Sequence, residues 1–300
     1  MSHHFTRTTS VGVLASTLLL ASAVTQAASA PGDCDRACLK QALDTYLTAV
    51  FKHDAGAARL SDDHYATENT AAIKSGEGFW KEFSGYGEVQ RRYFDPLNET
   101  AAFLGLLKQD GQDKIVSVRI KVDGGKVSEA EWIVSYPSSD GRRVPNPQGL
   151  VKDPPPEGAL PASQRTSRFL LKSIAGDFYQ GVSDHYGSWV PEEPTCYAIE
   201  IGSPIGAPKG HCVDNFEGMA QATKDVELRR YPVVDEEAGI VLSDVIFVRF
   251  PGVDRQNNLV HEYIWIRSGK IAGWWTSMDF LPLGSPVTSG WENRKGEIIR

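Results

Sequence analysis

An internal repeat constrains this chain more than any other feature of its 300 residues. At an offset of 132, LKQALDTYLTAVFKHD (39–54) lies on LKSIAGDFYQGVSDHY (171–186), matching Leu39/Leu171, Lys40/Lys172, Val50/Val182 and His53/His185. The same offset lays YATEN (65–69) on YAIEI (197–201), matching Tyr65/Tyr197, Ala66/Ala198 and Glu68/Glu200. At 138, RRYFDP (91–96) meets RRYPVVDEE (229–237) and pairs Arg92 with Arg230; at 144, IVSVRIKVDGGKV (115–127) meets LVHEYIWIRSGKI (259–271). The matches stay in order and the insertions fall in Gly/Pro-rich loops, so a duplicated domain is expected. The length suits two domains of roughly 150 residues.

Each copy opens with one helical face, spaced by four, three and four: Leu39, Leu43, Tyr46, Val50, then Leu171, Ala175, Phe178, Val182. A short second helix is expected at GEGFWKEF (76–83). β-branched and aromatic runs at 87–94, 101–108, 114–122 and 126–134 predict strands, the last two joined by the VDGGKV turn. Between the copies, residues 136–164 hold seven of the seventeen prolines and predict an extended linker. The expected organisation is a signal peptide (1–30), domain 1 (31–135), the linker (136–164), domain 2 (165–282) and a C-terminal tail (283–300).

The signal peptide rests on MSHHFTR, the apolar run VGVLASTLLLASAV and the small residues of TQAASA, with cleavage open after Ala27, Ala28 or Ala30. A secreted or periplasmic protein without a stable membrane anchor is expected. Removing these residues shifts the net charge from −7 to −8, because one Arg and no acid are lost. An acidic body without a basic run excludes nucleic acid as a partner. Cys34, Cys38, Cys196 and Cys212 are an even set in an oxidising compartment and predict two disulfides. Neighbours in sequence suggest Cys34–Cys38 and Cys196–Cys212, although four cysteines permit three pairings.

The element order, the DTYLTAVFKHD helix, the TEN segment, the GEGFW helix and the closing VDGGKV hairpin resemble the NTF2-like superfamily, in its SnoaL-like branch. RRYPVVDEEAGIV and HEYIWI resemble most closely the secreted tandem proteins of that kind, known mostly as uncharacterised families. The resemblance covers most of residues 34–280. It implies an α+β fold of two tandem NTF2-like cones, each with N-terminal helices packed on a curved antiparallel sheet, paired within the molecule. It also implies cofactor-free proton transfer on a small molecule, in a lyase, dehydratase or isomerase. The superfamily includes non-catalytic binders as well, so a ligand-binding or scaffold protein is the alternative. A carbohydrate hydrolase draws only on export and the tryptophans.

His53 and His185 continue their helical stripes by three residues and are expected to face the cone interiors. Tyr65/Tyr197 and Glu68/Glu200 recur together, and a Glu near a phenol and an imidazole forms a workable acid–base set. The structural alternative is a salt bridge from these acids to Arg92 and Arg230. In LVHEYIWIR, alternation puts Val260, Glu262, Ile264 and Ile266 on one face and His261, Tyr263 and Trp265 on the other. Glu262 then replaces Val118 of the first copy, and Asp244, interrupting Leu242, Ile246 and Val248, replaces Leu106. Buried carboxylates need a partner or a raised pKa, which makes the second cone the expected site. Its expected catalytic set is His185, Tyr197, Glu200, Arg230, Asp244 and Glu262. Ligand contacts are expected from His53, Tyr65, Glu68, Trp80, Arg92, His261, Tyr263 and Trp275, with Trp265 read as interface packing.

The sequence has no GxSxG elbow, P-loop, GxGxxG after a strand, or HExxH helix. Five histidines outside the leader are scattered, so neither a metal nor another cofactor is expected.

Overall fold

The computed structural model describes Met1 and residues 34–205, 212–213 and 216–292. The expected signal peptide beyond Met1 and residues 293–300 of the expected tail lie outside the described residues. Helix α1 (Arg36–Phe51) starts where Asp35 accepts from the Cys38 amide, and it buries Leu39, Leu43, Tyr46, Leu47 and Val50. Strand β1 (Leu60–Glu68), β2 (Ala71–Ile73), the short α2 (Phe79–Glu82), β3 (Phe83–Asp95), β4 (Thr100–Gln109), β5 (Gln112–Asp123) and β6 (Lys126–Val134) follow. After the short α3 (Pro147–Lys152) comes α4 (Arg168–Asp184), which buries Leu171, Ile174, Ala175, Phe178, Tyr179 and Val182. Then come β7 (Glu192–Glu200), β8 (Ser203–Ile205), α5 (Phe216–Met219), β9 (Thr223–Asp235), β10 (Ile240–Arg249), β11 (Asn258–Arg267) and β12 (Lys270–Phe280).

The strands form two six-stranded sheets with the same order, β2-β1-β6-β5-β4-β3 and β8-β7-β12-β11-β10-β9. The expected hairpins are present. Gly124 and Gly125 (φ 55° and 76°) turn β5 into β6, and Ser268 and Gly269 (φ 50° and 72°) turn β11 into β12. The sheets are mixed rather than antiparallel, however. β1 runs parallel to β6 and β7 parallel to β12, because the first strand after each helix returns beside the last strand of the unit.

The two sheets clasp each other reciprocally. Arg36 at the start of α1 makes two bonds to Asp235 at the end of β9 (2.8 and 3.0 Å), and Arg168 of α4 makes two to Asp95 at the end of β3 (2.8 and 2.7 Å). Asp235 also accepts from the Phe94 amide (2.9 Å) and Asp95 from the Val234 amide (3.0 Å). Both aspartates are fully buried. The recurring RRYFD and RRYPVVD segments therefore each end in the carboxylate that grips the other unit. One contact surface used twice, with partners exchanged, is the pattern of a two-fold interface.

Residues 136–164 are not a free spacer. They include α3 and the 3-10 turn Ala162–Gln164, and they are docked along their length. The Pro155 and Pro156 carbonyls accept from Arg91 and Tyr93 (2.8 and 2.7 Å), and the Asp153 carbonyl accepts from the Trp275 indole (2.9 Å). Gly149 and Gly202 meet so closely that a Cβ on either would lie 1.9 Å from backbone oxygen of the other segment. Proline stiffens this segment, but carbonyls without ladder partners also make it a good acceptor surface for side chains.

Candidate functional site

The difference between the two units lies in one row of side chains across three strands. In the first sheet Phe103, Val118 and Trp132 are cross-strand neighbours; in the second the equivalent row is Ser243, Glu262 and Thr276. Trp132 is 2% exposed, lies against Phe79 and donates its indole to the Tyr46 hydroxyl (3.0 Å). It fills its unit. Thr276 is far smaller, and its hydroxyl accepts from the Ile201 amide (3.0 Å). The second unit consequently encloses a cavity of about 350 Å³.

Glu262 and Phe178, Trp274 and Met278 form the deep part of this cavity, each nearly fully buried. The Tyr179 hydroxyl on α4 donates to Glu262 Oε2 at 2.8 Å. Burial raises the Glu262 carboxyl to about 8, against the lowering effect of that bond. The acid is thus protonated at neutral pH and able to exchange its proton there. Nearer the opening, Glu200 pairs with Arg143 (2.8 Å). Burial raises its carboxyl as well, while Arg143 and Arg249 oppose the rise. Two carboxyls in one cavity, one cushioned by guanidinium and one only by a phenol, have the unequal environments that acid–base pairs require.

Only Glu200 and Glu262 of the expected catalytic set line the cavity. His185 sits one residue past α4 as its left-handed C-cap (φ 57°), where its Nε2 meets the Thr223 carbonyl (2.7 Å). His53 likewise follows α1 with φ 53°, is exposed, and places Nδ1 2.8 Å from the Trp80 carbonyl. Both helices end before the stripe reaches these histidines, so neither enters an interior. Tyr197 alternates away from Glu200 and packs its ring edge-on to Trp275 (5.2 Å), which faces the 136–164 segment rather than a ligand.

In the first unit, Tyr65 donates to the Gly290 carbonyl (2.8 Å), Glu68 caps the Phe79 amide (2.6 Å) and Trp80 packs on Tyr46 (5.5 Å). Arg92 pairs with Asp44 (2.7 Å), not with Glu68. These are structural contacts of a filled unit.

Arg230, Asp244 and His261 form a second group, on the opposite face of the second sheet from Glu262. The register pairs Asp244 with His261 and Ser243 with Glu262, so Asp244 does not share Glu262's face as expected, and its first-unit equivalent is Leu104 rather than Leu106. Leu104 and Leu106 share a face, and both faces of β10 are buried, so alternation alone does not say which face meets the cavity. Arg230 bonds both Glu131 (2.6 Å) and Asp244, while Arg119 bonds Glu131 and Glu129. His261 Nδ1 lies 2.8 Å from Ser117 Oγ, which is 2.6 Å from the Tyr263 hydroxyl, and Tyr263 donates to the Phe103 carbonyl (2.9 Å). Trp291 caps the group, with the Arg119 guanidinium 4.5 Å from its ring centre.

Burial and nearby Glu131 raise Asp244 to about 7 against Arg230, whereas Arg230, His261 and Arg119 overcome burial and hold Glu131 well below the usual range. Burial lowers His261, but bonds to Asp244 and Glu131 outweigh it and the net shift is upward. Glu131, Asp244 and His261 converge closely enough for a cation. Arg230 already holds both carboxylates, and supplies the positive charge that an ion would.

Sequence reading missed Tyr179, Arg143 and Arg249. The signal for Tyr179 was present, since it replaces Leu47 at the same offset of 132 that aligns the helices. Arg143 lies in the segment read as a spacer, where no periodicity assigns direction.

The cysteines lie at disulfide distance in the expected pairs, with Cα separations of 5.2 Å for Cys34–Cys38 and 5.6 Å for Cys196–Cys212. No helix among the described residues is long and apolar enough to cross a membrane. Residues 164–276 match a family described as a domain of unknown function, DUF8021. No curated protein matches the chain. Similar solved structures include an NTF2-like protein of unknown function from Cytophaga hutchinsonii, 12% identical with a TM-score of 0.27, over 32% of this chain and 89% of that one. A protein of unknown function with a cystatin-like fold from Methylobium petroleophilum is 13% identical with a TM-score of 0.31, over 37% and 85%. An NTF2-like protein from Burkholderia thailandensis is 19% identical with a TM-score of 0.25, over 32% and 90%.

Proposed function

We propose that this chain is an exported tandem of two NTF2-like cones whose second unit is a cofactor-independent lyase, dehydratase or isomerase acting on a small organic molecule. One observation carries the reading: Glu262, bonded to Tyr179, sits protonated on the floor of the cavity beside Phe178, Trp274 and Met278. In this mechanism Glu262 delivers a proton to the substrate, and Tyr179 stabilises the carboxylate left behind by donating to Oε2. Glu200 at the other end accepts a proton from the substrate, and Arg143 holds it in place. No net change in oxidation state is involved, so the cycle closes when the proton returns from Glu200 through water to Glu262. The first unit, filled by Trp132, buttresses the second. Two disulfide pairs support export.

The test is comparative mass spectrometry. Wild type and Glu262→Gln are incubated with pooled aromatic, terpenoid and oligosaccharide extracts. A loss of water or a new isomer only with wild type is the expected result. Identical product profiles, with a compound retained by both proteins, would replace the enzyme by a binding protein.

A further inference from the structure

The cavity has more positive charge at its opening than its own carboxylates neutralise. Arg143 pairs with Glu200 at 2.8 Å and Arg142 with Asp140 at 3.5 Å. Arg249 also lines the cavity, yet its hydrogen bonds go only to neutral acceptors: Thr223 Oγ1 (2.5 Å), Asn258 Oδ1 (2.5 Å) and the Gln256 carbonyl (3.1 Å). Arg255 lines the same opening, is exposed, and makes no ion pair among the described residues. Arg249 shares the Glu200 carboxylate with Arg143, so four guanidiniums at the opening face only the carboxylates of Asp140 and Glu200, in a chain whose net charge is −7. The third acid of the cavity, Glu262, lies on its floor and is engaged by Tyr179.

Charge and apolar surface are separated along the depth of the cavity. Phe178, Trp274 and Met278, all under 5% exposed, face its floor, while Arg249 and Arg255 lie toward solvent. An arginine half-withdrawn from water favours any anion that can bond its fork, because neutral hydrogen-bond partners and a carboxylate shared with Arg143 compensate its charge only in part. Burial and the neighbouring Arg255 and Arg143 lower Arg249 to about 10, although Glu200 opposes the fall. We infer that the cavity takes a small amphipathic carboxylic acid, its ring or hydrocarbon body against Phe178 and Trp274 and its carboxylate between Arg249 and Arg255. This rests on the cavity being the ligand site proposed above, and it adds the charge and shape of what enters.

The experiment compares acids with their own amides, which keep the shape and remove the charge. 2-Naphthoate, 4-phenylbutyrate and decanoate are titrated calorimetrically into the full chain, each beside its primary amide. At least one acid is expected to bind about tenfold tighter than its amide, as one charge-assisted contact would give. Arg255→Gln, a change at an exposed side chain, is expected to erase most of that preference, and Arg249→Gln the rest if it folds. Glu262→Gln is expected to keep the preference while losing turnover. Equal binding of acids and amides, a preference untouched by Arg255→Gln, or no saturable binding of any acid would each overturn the inference. Turnover that survives in Glu262→Gln would instead defeat the catalytic reading and leave this one standing.

Discussion

Tyr179 and Glu262 share a 2.8 Å hydrogen bond at the positions where the first unit carries Leu47 and Val118. Both replaced residues are buried core residues of that unit. Replacing one apolar neighbour by an acid would strand a carboxyl in the core; replacing both supplies a bonded pair. If this pair moves the proton, Glu262→Gln lowers turnover by ~10²–10⁴-fold with the fold retained. Tyr179→Phe removes the donor that steadies the ionised carboxyl, so it lowers turnover and shifts the alkaline limb of the pH–rate profile upward. A Tyr179→Phe profile superimposable on wild type would separate the phenol from the chemistry.

The same carboxyl makes stability depend on pH with a definite sign. Its folded value of about 8 lies above its ordinary 4.5. Between these values the folded chain keeps a proton that the unfolded chain has released. This stabilisation is full below the unfolded pKa and is lost as pH rises through the folded one, with a limiting slope of ~1.4 kcal/mol per pH unit. Urea unfolding at pH 5, 6, 7 and 8 should show wild type losing ground to Glu262→Gln at each step. Parallel curves for the two proteins would exclude the raised pKa.

Thr276→Trp should close the cavity by giving the second unit the tryptophan that Trp132 supplies in the first. Ligand binding is expected to fall by at least about tenfold, while overpacking costs ~1–3 kcal/mol. The reverse change, Trp132→Thr, empties the first unit and should cost ~3–5 kcal/mol. Differential scanning calorimetry reads both. A Thr276→Trp protein that still binds its ligand would show that the ligand lies elsewhere.

Much of this architecture was legible because repeats reveal themselves by self-comparison. The helices, the four long strands and the exchange of Val118 for Glu262 all follow from aligned residues of matching period. The face of Asp244 is not legible, because β10 is buried on both sides and alternation groups its residues without saying which group meets the cavity. The places of His53 and His185 are not legible either, because a helical stripe does not announce where the helix stops: α4 ends with His185 as its left-handed cap, and α1 ends two residues before His53. Arg143, Arg249 and Arg255 carry no periodic signal, since the turns and long-range packing that bring them together are tertiary events.

At the sheet interface, Glu131 and Asp244 share Arg230 but differ in protonation, and that difference can be measured. Glu131 is held ionised, so Glu131→Gln removes a buried negative charge from between two arginines and should cost ~3–5 kcal/mol. Asp244 lies near 7 and carries a proton at pH 5.5, so Asp244→Asn at that pH should cost less than ~1.5 kcal/mol. Turnover should stay within a few fold of wild type in Asp244→Asn, because the register turns this residue away from the cavity. Equal and large losses from both changes would mean that both acids are ionised and that His261 alone holds the proton.

The reciprocal clasp of Asp95 and Asp235 should couple the folding of the two units. Each aspartate is fully buried, accepts two bonds from an arginine of the other unit's helix and one from an amide of its edge strand. Removing one carboxylate takes the two-bond acceptor from a guanidinium, which keeps only a weaker contact to Glu237 or the Val234 carbonyl, and leaves a buried amide without its acceptor, an expected loss of ~3–5 kcal/mol. Asp235→Ala and Asp95→Ala should lower stability by similar amounts, since the contacts are exchanged in kind. The double variant should lose cooperativity, with two urea transitions in place of one. A single sharp transition in that variant would locate the coupling instead in the Glu131–Arg230–His261 group and the apolar residues around it.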